Sequence, residues 1–120
     1  MAEDDVRVHL AGLSISSAQP VAGGGSGGKP PPVFVDTEAS CRDEITRLLD
    51  AQTDVAVDVE GVSLCRDGRV CLIQLAGPDP STPVVLVDIV AIGEAAFAGG
   101  RLRELLESKT VTKIIFDPRY

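Results

Sequence analysis

One stretch constrains this chain more than any other: Val55-Ala56-Val57-Asp58-Val59-Glu60-Gly61. Apolar residues at alternate positions mark a strand with a buried face, so Val55, Val57 and Val59 line one side. The same alternation sets Asp58 and Glu60 next to each other on the opposite side, Cα atoms ~7 Å apart. Two carboxylates in an otherwise apolar strand repel each other and lose hydration, which is costly without compensation. Three arrangements relieve this. The pair can share a proton, which raises one pKa. It can bind a hard divalent cation such as Mg²⁺, which takes carboxylate and phosphate oxygens. Or it can face solvent on a one-sided antiparallel sheet. Gly61 removes a side chain where a ligand backbone could approach closely.

The neighbouring sequence supplies partners for this strand. Val33-Phe34-Val35 reads as a short strand, and Asp36 or Thr37 can cap a helix bearing Cys41, Ile45, Leu48 and Leu49 on one face. Asp67-Gly68 between apolar runs is a hairpin signal, returning through Arg69-Val70-Cys71-Leu72-Ile73-Gln74-Leu75. After Gly77-Pro78-Asp79-Pro80 a third strand, Val84 to Asp88, is apolar on both faces. A helix with Leu102, Leu105 and Leu106 on one side leads to a last strand, Val111 to Phe116. Three consecutive antiparallel strands and a helical crossover to a strand parallel with the first make a mixed α/β sheet. Cover for its second face has to come from the helix at 38–49 or from sequence outside this chain.

Composition narrows the function. The 120 residues carry 11 Lys plus Arg against 18 Asp plus Glu, a net charge of -7. That excludes a basic-tail binder relying on counterion release, so any polyanion handled here needs a local basic patch or a metal ion. With three Phe, one Tyr and no Trp, the core is aliphatic and stacking platforms for single strands are not evident. Cys41, Cys65 and Cys71 with the lone His9 make neither a disulfide framework nor a zinc site. An acidic start, Met1-Ala2-Glu3-Asp4-Asp5, and no long apolar run point to the cytosol or nucleus and to no membrane span. Half of the glycines and half of the prolines fall within residues 1–32. Gly23 to Gly28 followed by Lys29 and Pro30-Pro31-Pro32 reads as a disordered arm preceding a fold at 33–120.

In order, Val-Asp-Val-Glu-Gly, a hairpin, Leu-Ile-Gln-Leu, Val-Leu-Val-Asp-Ile, Arg-Glu-Leu-Leu-Glu-Ser and Lys-Ile-Ile-Phe-Asp resemble the first half of a DEDD-type 3′→5′ exonuclease domain, of the RNase D and Werner-exonuclease branch. The resemblance covers roughly residues 45–120. It implies a ribonuclease H-like fold and hydrolysis with two Mg²⁺ or Mn²⁺ ions. Asp58 matches the ligand that bridges both ions, and Glu60 the one that holds a single ion and orients the attacking water. Gly61 and Val62 match residues lying against the terminal nucleotide. Gln74 and Leu75 match structural positions behind the site. Aligning Phe116-Asp117-Pro118-Arg119-Tyr120 with the family's second motif makes Asp117 its non-catalytic aspartate and places the ligand after Tyr120; Arg119, next to that region, is the best candidate for a substrate phosphate contact.

The expectation is therefore a partial, truncated exonuclease domain at 33–120 acting on the 3′ end of single-stranded RNA or DNA, incomplete and inactive alone, and prone to aggregate through exposed apolar surface. Its alternatives are a non-catalytic RNA-binding adaptor with an exonuclease-like fold, and a generic α/β interaction domain whose carboxylates are surface groups. Among the other cations, Arg101 and Arg103 sit beside Glu104 and Glu107 on a helix, where pairing is common. Arg66 and Arg69 flank the hairpin turn and face solvent by default, and Lys113 is a further candidate for phosphate. Cys65 and Cys71 read as small hydrophobes, and Asp88 as a cap for the following turn.

Overall fold

A computed structural model describes residues 28–116. The N-terminal arm expected at 1–32 lies almost wholly outside that span. Strand β1 (Val33–Val35) leads into helix α1 (Glu38–Ala51). Thr37 caps α1, its Oγ1 accepting from the Ser40 backbone N–H at 3.1 Å while Ser40 Oγ accepts from the Thr37 N–H. The helix buries Cys41, Ile45, Leu48 and Leu49, one stripe at helical spacing, and ends at Gln52, which takes a left-handed φ of 55°.

The chain then builds β2 (Val55–Val62), β3 (Arg69–Ala76) and β4 (Val85–Asp88) as an antiparallel meander. Strand β5 (Lys113–Ile115) returns parallel to β2, and β1 joins parallel to β4. The order β1-β4-β3-β2-β5 leaves β2 inside the sheet with neighbours on both sides. This mixed topology is the one expected from a hairpin, a second hairpin and a crossover.

The crossover is not the single helix the leucine spacing suggests. It comprises a short helix α2 (Ile89–Ile92), a 3-10 turn (Gly93–Ala96) and a helix α3 (Leu102–Glu107). Gly93, at φ 70°, breaks the first piece. A Cβ on Gly100 would lie 2.5 Å from the Ala96 carbonyl oxygen and 2.9 Å from Cys41 Sγ, so the chain crosses α1 too closely for any side chain. Asp88 caps α2 as expected, its Oδ1 accepting from the Ala91 N–H at 3.0 Å.

The core lies on one sheet face, where Val35, Val55, Val57, Ile73, Leu75, Val85 and Val87 meet α1 and the α3 leucines Leu102 and Leu105. Arg101 ties the two helices, donating to Thr46 Oγ1 at 2.7 Å while its other nitrogens hold Glu104. Helix α1 therefore shares the face of α3 and does not cover the other, against one of the two sources expected for that cover. The second face has Asp58, Gln74, Leu86 and Phe34 in one register row, and none of the described helices lies over it. Phe34 and Ile114 stand 58% and 56% exposed there.

Candidate functional site

The register decides what surrounds the acidic pair. Asp58 lies opposite Gln74 and Glu60 opposite Leu72, all on the face away from the core. Both members of the first pair are shielded, Asp58 at 4% exposed and Gln74 at 7%. Gln74 Nε2 donates to Asp58 Oδ2 at 3.0 Å. Asp58 is thus not a solvated surface group, which removes that reading for this residue. Glu60, near the end of the strand pair, is half-buried.

A β-bulge follows Glu60. Glu60 pairs with Leu72, but Gly61 pairs with Val70, so Cys71 is an extra residue on β3. A Cβ on Gly61 would collide with the Arg69 carbonyl oxygen and lie 2.7 Å from Leu64 Cδ2. The glycine is required here by its own hairpin, a stronger demand than the close ligand approach expected of it. Val62, next on the carboxylate side, is 56% exposed.

The hairpin is also wider than the Asp67-Gly68 signal implied. Six residues, Ser63 to Gly68, connect the strands, with Ser63 at a φ of 49° and the Gly68 N–H donating to the Cys65 carbonyl at 3.2 Å. Gly68 packs against the Ser63 carbonyl, where no Cβ fits.

Other expected positions sort clearly. Gln74 and Leu75, expected together behind the site, face opposite sides: Leu75 is in the core and Gln74 touches Asp58. Sequence reasoning missed this contact, although an amide between Ile73 and Leu75 in an apolar strand was the available signal. Lys113 is occupied elsewhere, its Nζ donating to the Ser108 and Val111 carbonyls past the end of α3. Arg101 is held by Glu104 as expected, whereas the guanidinium of Arg103 makes no such pair. Cys41 is buried and Cys65 exposed, and all three thiols are free. Arg119 and Asp117 lie outside the described residues. Among the described residues no group of three or more His, Cys, Asp or Glu is placed to hold a metal ion. Asp58 and Glu60 accordingly fit part of a hard-cation site: two oxygen donors on one face, one of them oriented by an amide.

The five-stranded mixed sheet, with its acids on an interior strand, matches the ribonuclease H-like fold of exonucleases of known structure. A sequence profile described as 3′-5′ exonuclease matches residues 32–120, and the chain belongs to that family. It is 38% identical over 69 residues to the piRNA biogenesis protein EXD1 of Mus musculus, covering 58% of this chain but 11% of that protein. RNase D of Trypanosoma brucei in complex with RNA superposes with a TM-score of 0.57 at 26% identity, over 70% of this chain and 29% of that one. RNase D of Escherichia coli gives a TM-score of 0.58 at 19% identity, over 73% and 22%, a likeness of fold. The chain thus spans a small part of each relative.

Proposed function

We propose that this chain carries part of the active site of a metal-dependent 3′→5′ exonuclease that removes nucleotides from the 3′ end of single-stranded RNA or DNA. The burial of Asp58 beside Glu60 on an interior strand carries the reading. A carboxylate with this little solvent needs compensation. Gln74 supplies one hydrogen bond, and a cation is the natural complement for the pair. Asp58 and Glu60 would hold Mg²⁺ or Mn²⁺, with two ions in the complete site. Bound there, such ions activate water and stabilise the leaving 3′ oxygen. The chain's own contribution is to hold the Asp58 carboxylate in one orientation through Gln74 and to keep both acids on one face. Gly61 and Val62 border the acids on the way to the hairpin, where a terminal nucleotide would lie.

Two carboxylates are fewer than a two-ion site requires, so the reading includes inactivity of the 120-residue chain by itself. Isothermal titration of the chain with Mn²⁺ tests the site directly. Wild type should bind the ion, and Asp58→Asn should lose most of that affinity while keeping its melting temperature. Equal binding by the two proteins would remove the metal from the proposal. Release of 5′-mononucleotides by a clean preparation would refute the inactivity.

That no group of three or more His, Cys, Asp or Glu among the described residues is placed to hold a metal ion favours a second reading: an RNA-binding adaptor that keeps the exonuclease fold. RNA binding that persists in Asp58→Asn, with no ion bound by wild type, would select it.

A further inference from the structure

We propose that Arg69 is a phosphate-contacting residue that guides a nucleic-acid strand along the sheet toward Asp58 and Glu60, and that the bulge at Cys71 exists to put it there. The inference rests on the nucleic-acid reading above and is indifferent to whether the strand is cut.

Strand alternation supplies the argument. On β2, Asp58, Glu60 and Val62 share a face. On an unbroken β3, Gln74, Leu72 and Val70 would share that face and Arg69 would turn to the core side. The extra residue at Cys71 reverses the phase: Val70 pairs with Gly61, and Arg69 pairs with Val62. Val70 accordingly packs against the hydrophobic core, the position an unbroken strand would have given to Arg69. The bulge thus exchanges a charge for an apolar residue on the core side. It also delivers a guanidinium to the carboxylate face, two residues beyond Glu60.

That guanidinium is available. Among the described residues, Arg42, Arg47 and Arg101 are paired with Glu38, Glu44 and Glu104, whereas Arg69 makes neither an ion pair nor a side-chain hydrogen bond. Arg69 is exposed, and Arg66, also exposed and unpaired, lies three residues earlier in the hairpin loop. In a chain of net charge -7 these are unpaired positive charges of the kind a polyanion requires. The backbone beneath Arg69 is held firmly, because its carbonyl packs against Gly61. A planar fork on a fixed strand suits phosphate oxygens.

The test is fluorescence anisotropy of the full chain with a labelled single-stranded oligouridylate in EDTA, titrated at salt from about 50 to 200 mM. Arg69→Ala should weaken binding several-fold and reduce the slope of log K against log salt by about 0.7, one phosphate contact on a single strand. Arg69→Lys should keep the slope, and Arg103→Ala, an exposed arginine of α3, should leave both unchanged. An unchanged slope in Arg69→Ala, with wild type binding normally, overturns the assignment and leaves the nucleic-acid reading standing. Equal loss in Arg103→Ala overturns it too, by showing that any surface arginine counts. No binding by wild type overturns the nucleic-acid reading and this inference together.

Discussion

Gln74 donates its side-chain amide to Asp58 across a register pair in which both groups are shielded from water. The bond joins β3 to β2 on the face away from the core, so the orientation of one carboxylate depends on an amide from the neighbouring strand. Replacing Gln74 by Leu keeps the volume and removes this donor from a buried acid. The expected loss is about 1.5–3 kcal/mol, measured by urea denaturation at pH 7.

Gln74→Glu should be worse, and in a pH-dependent way. A second carboxylate against Asp58 raises the folded-state pKa of the pair above its unfolded value. Stability is then fully present below the unfolded value, near pH 4, and is lost as pH rises through the raised one. Melts of Gln74→Glu should improve on acidification toward pH 4–5 relative to Gln74→Leu. A flat difference between the two variants would show that these positions are not in contact.

Gly61→Ala tests the bulge. The added methyl meets the Arg69 carbonyl and Leu64, and a backbone carbonyl cannot step aside without opening the hairpin. A loss of about 1–3 kcal/mol is expected. Hydrogen exchange at the amides of Val62 and Arg69 should rise before that of Val57 or Leu75.

The thiols should separate by reactivity. Burial, reinforced by the charge of Glu38, pushes the Cys41 thiol above its ordinary value near 9. Its neutral form is the one the fold favours, so the stability it contributes is present below pH 9 and is lost as pH rises through the raised value. An aromatic disulfide reagent at pH 8 should modify Cys65 at once and Cys41 only on unfolding. Cys41→Val should flatten the alkaline side of the stability profile.

Gln52 ends α1 in a left-handed conformation that glycine adopts without strain. Gln52→Gly should raise stability by up to about 1 kcal/mol, less the hydrogen bond its side chain gives to the Leu49 carbonyl. Thermal melts suffice to check the sign.

The elements themselves were legible because alternation and helical spacing are local. Val55, Val57 and Val59, the stripe Cys41-Ile45-Leu48-Leu49, and the parallel return of β5 all follow from patterns within one or two segments. What escaped depended on register. A two-residue turn at Asp67-Gly68 would pair Arg66 with Arg69 and set Asp58 opposite Gly77. A six-residue loop and one bulged residue set it opposite Gln74 instead. That count, not any propensity, hid the partner of the central acid. The breaks in the crossover were hidden for a similar reason. Gly93 and Gly100 could be seen, but the close passage of residue 100 over Cys41 is a tertiary fact.

The position of β2 between β3 and β5 also sets an order of assembly. Val62 lies opposite Arg69, while Val55 lies opposite Lys113. The second pairing closes a loop about eight times longer, at an extra entropic cost of about 2 kcal/mol. The acids are therefore joined to β3 early, while one flank of their strand is still wet, and β5 seals that flank last. By loop-closure entropy alone, their charge repulsion is met in water first and only afterwards enclosed.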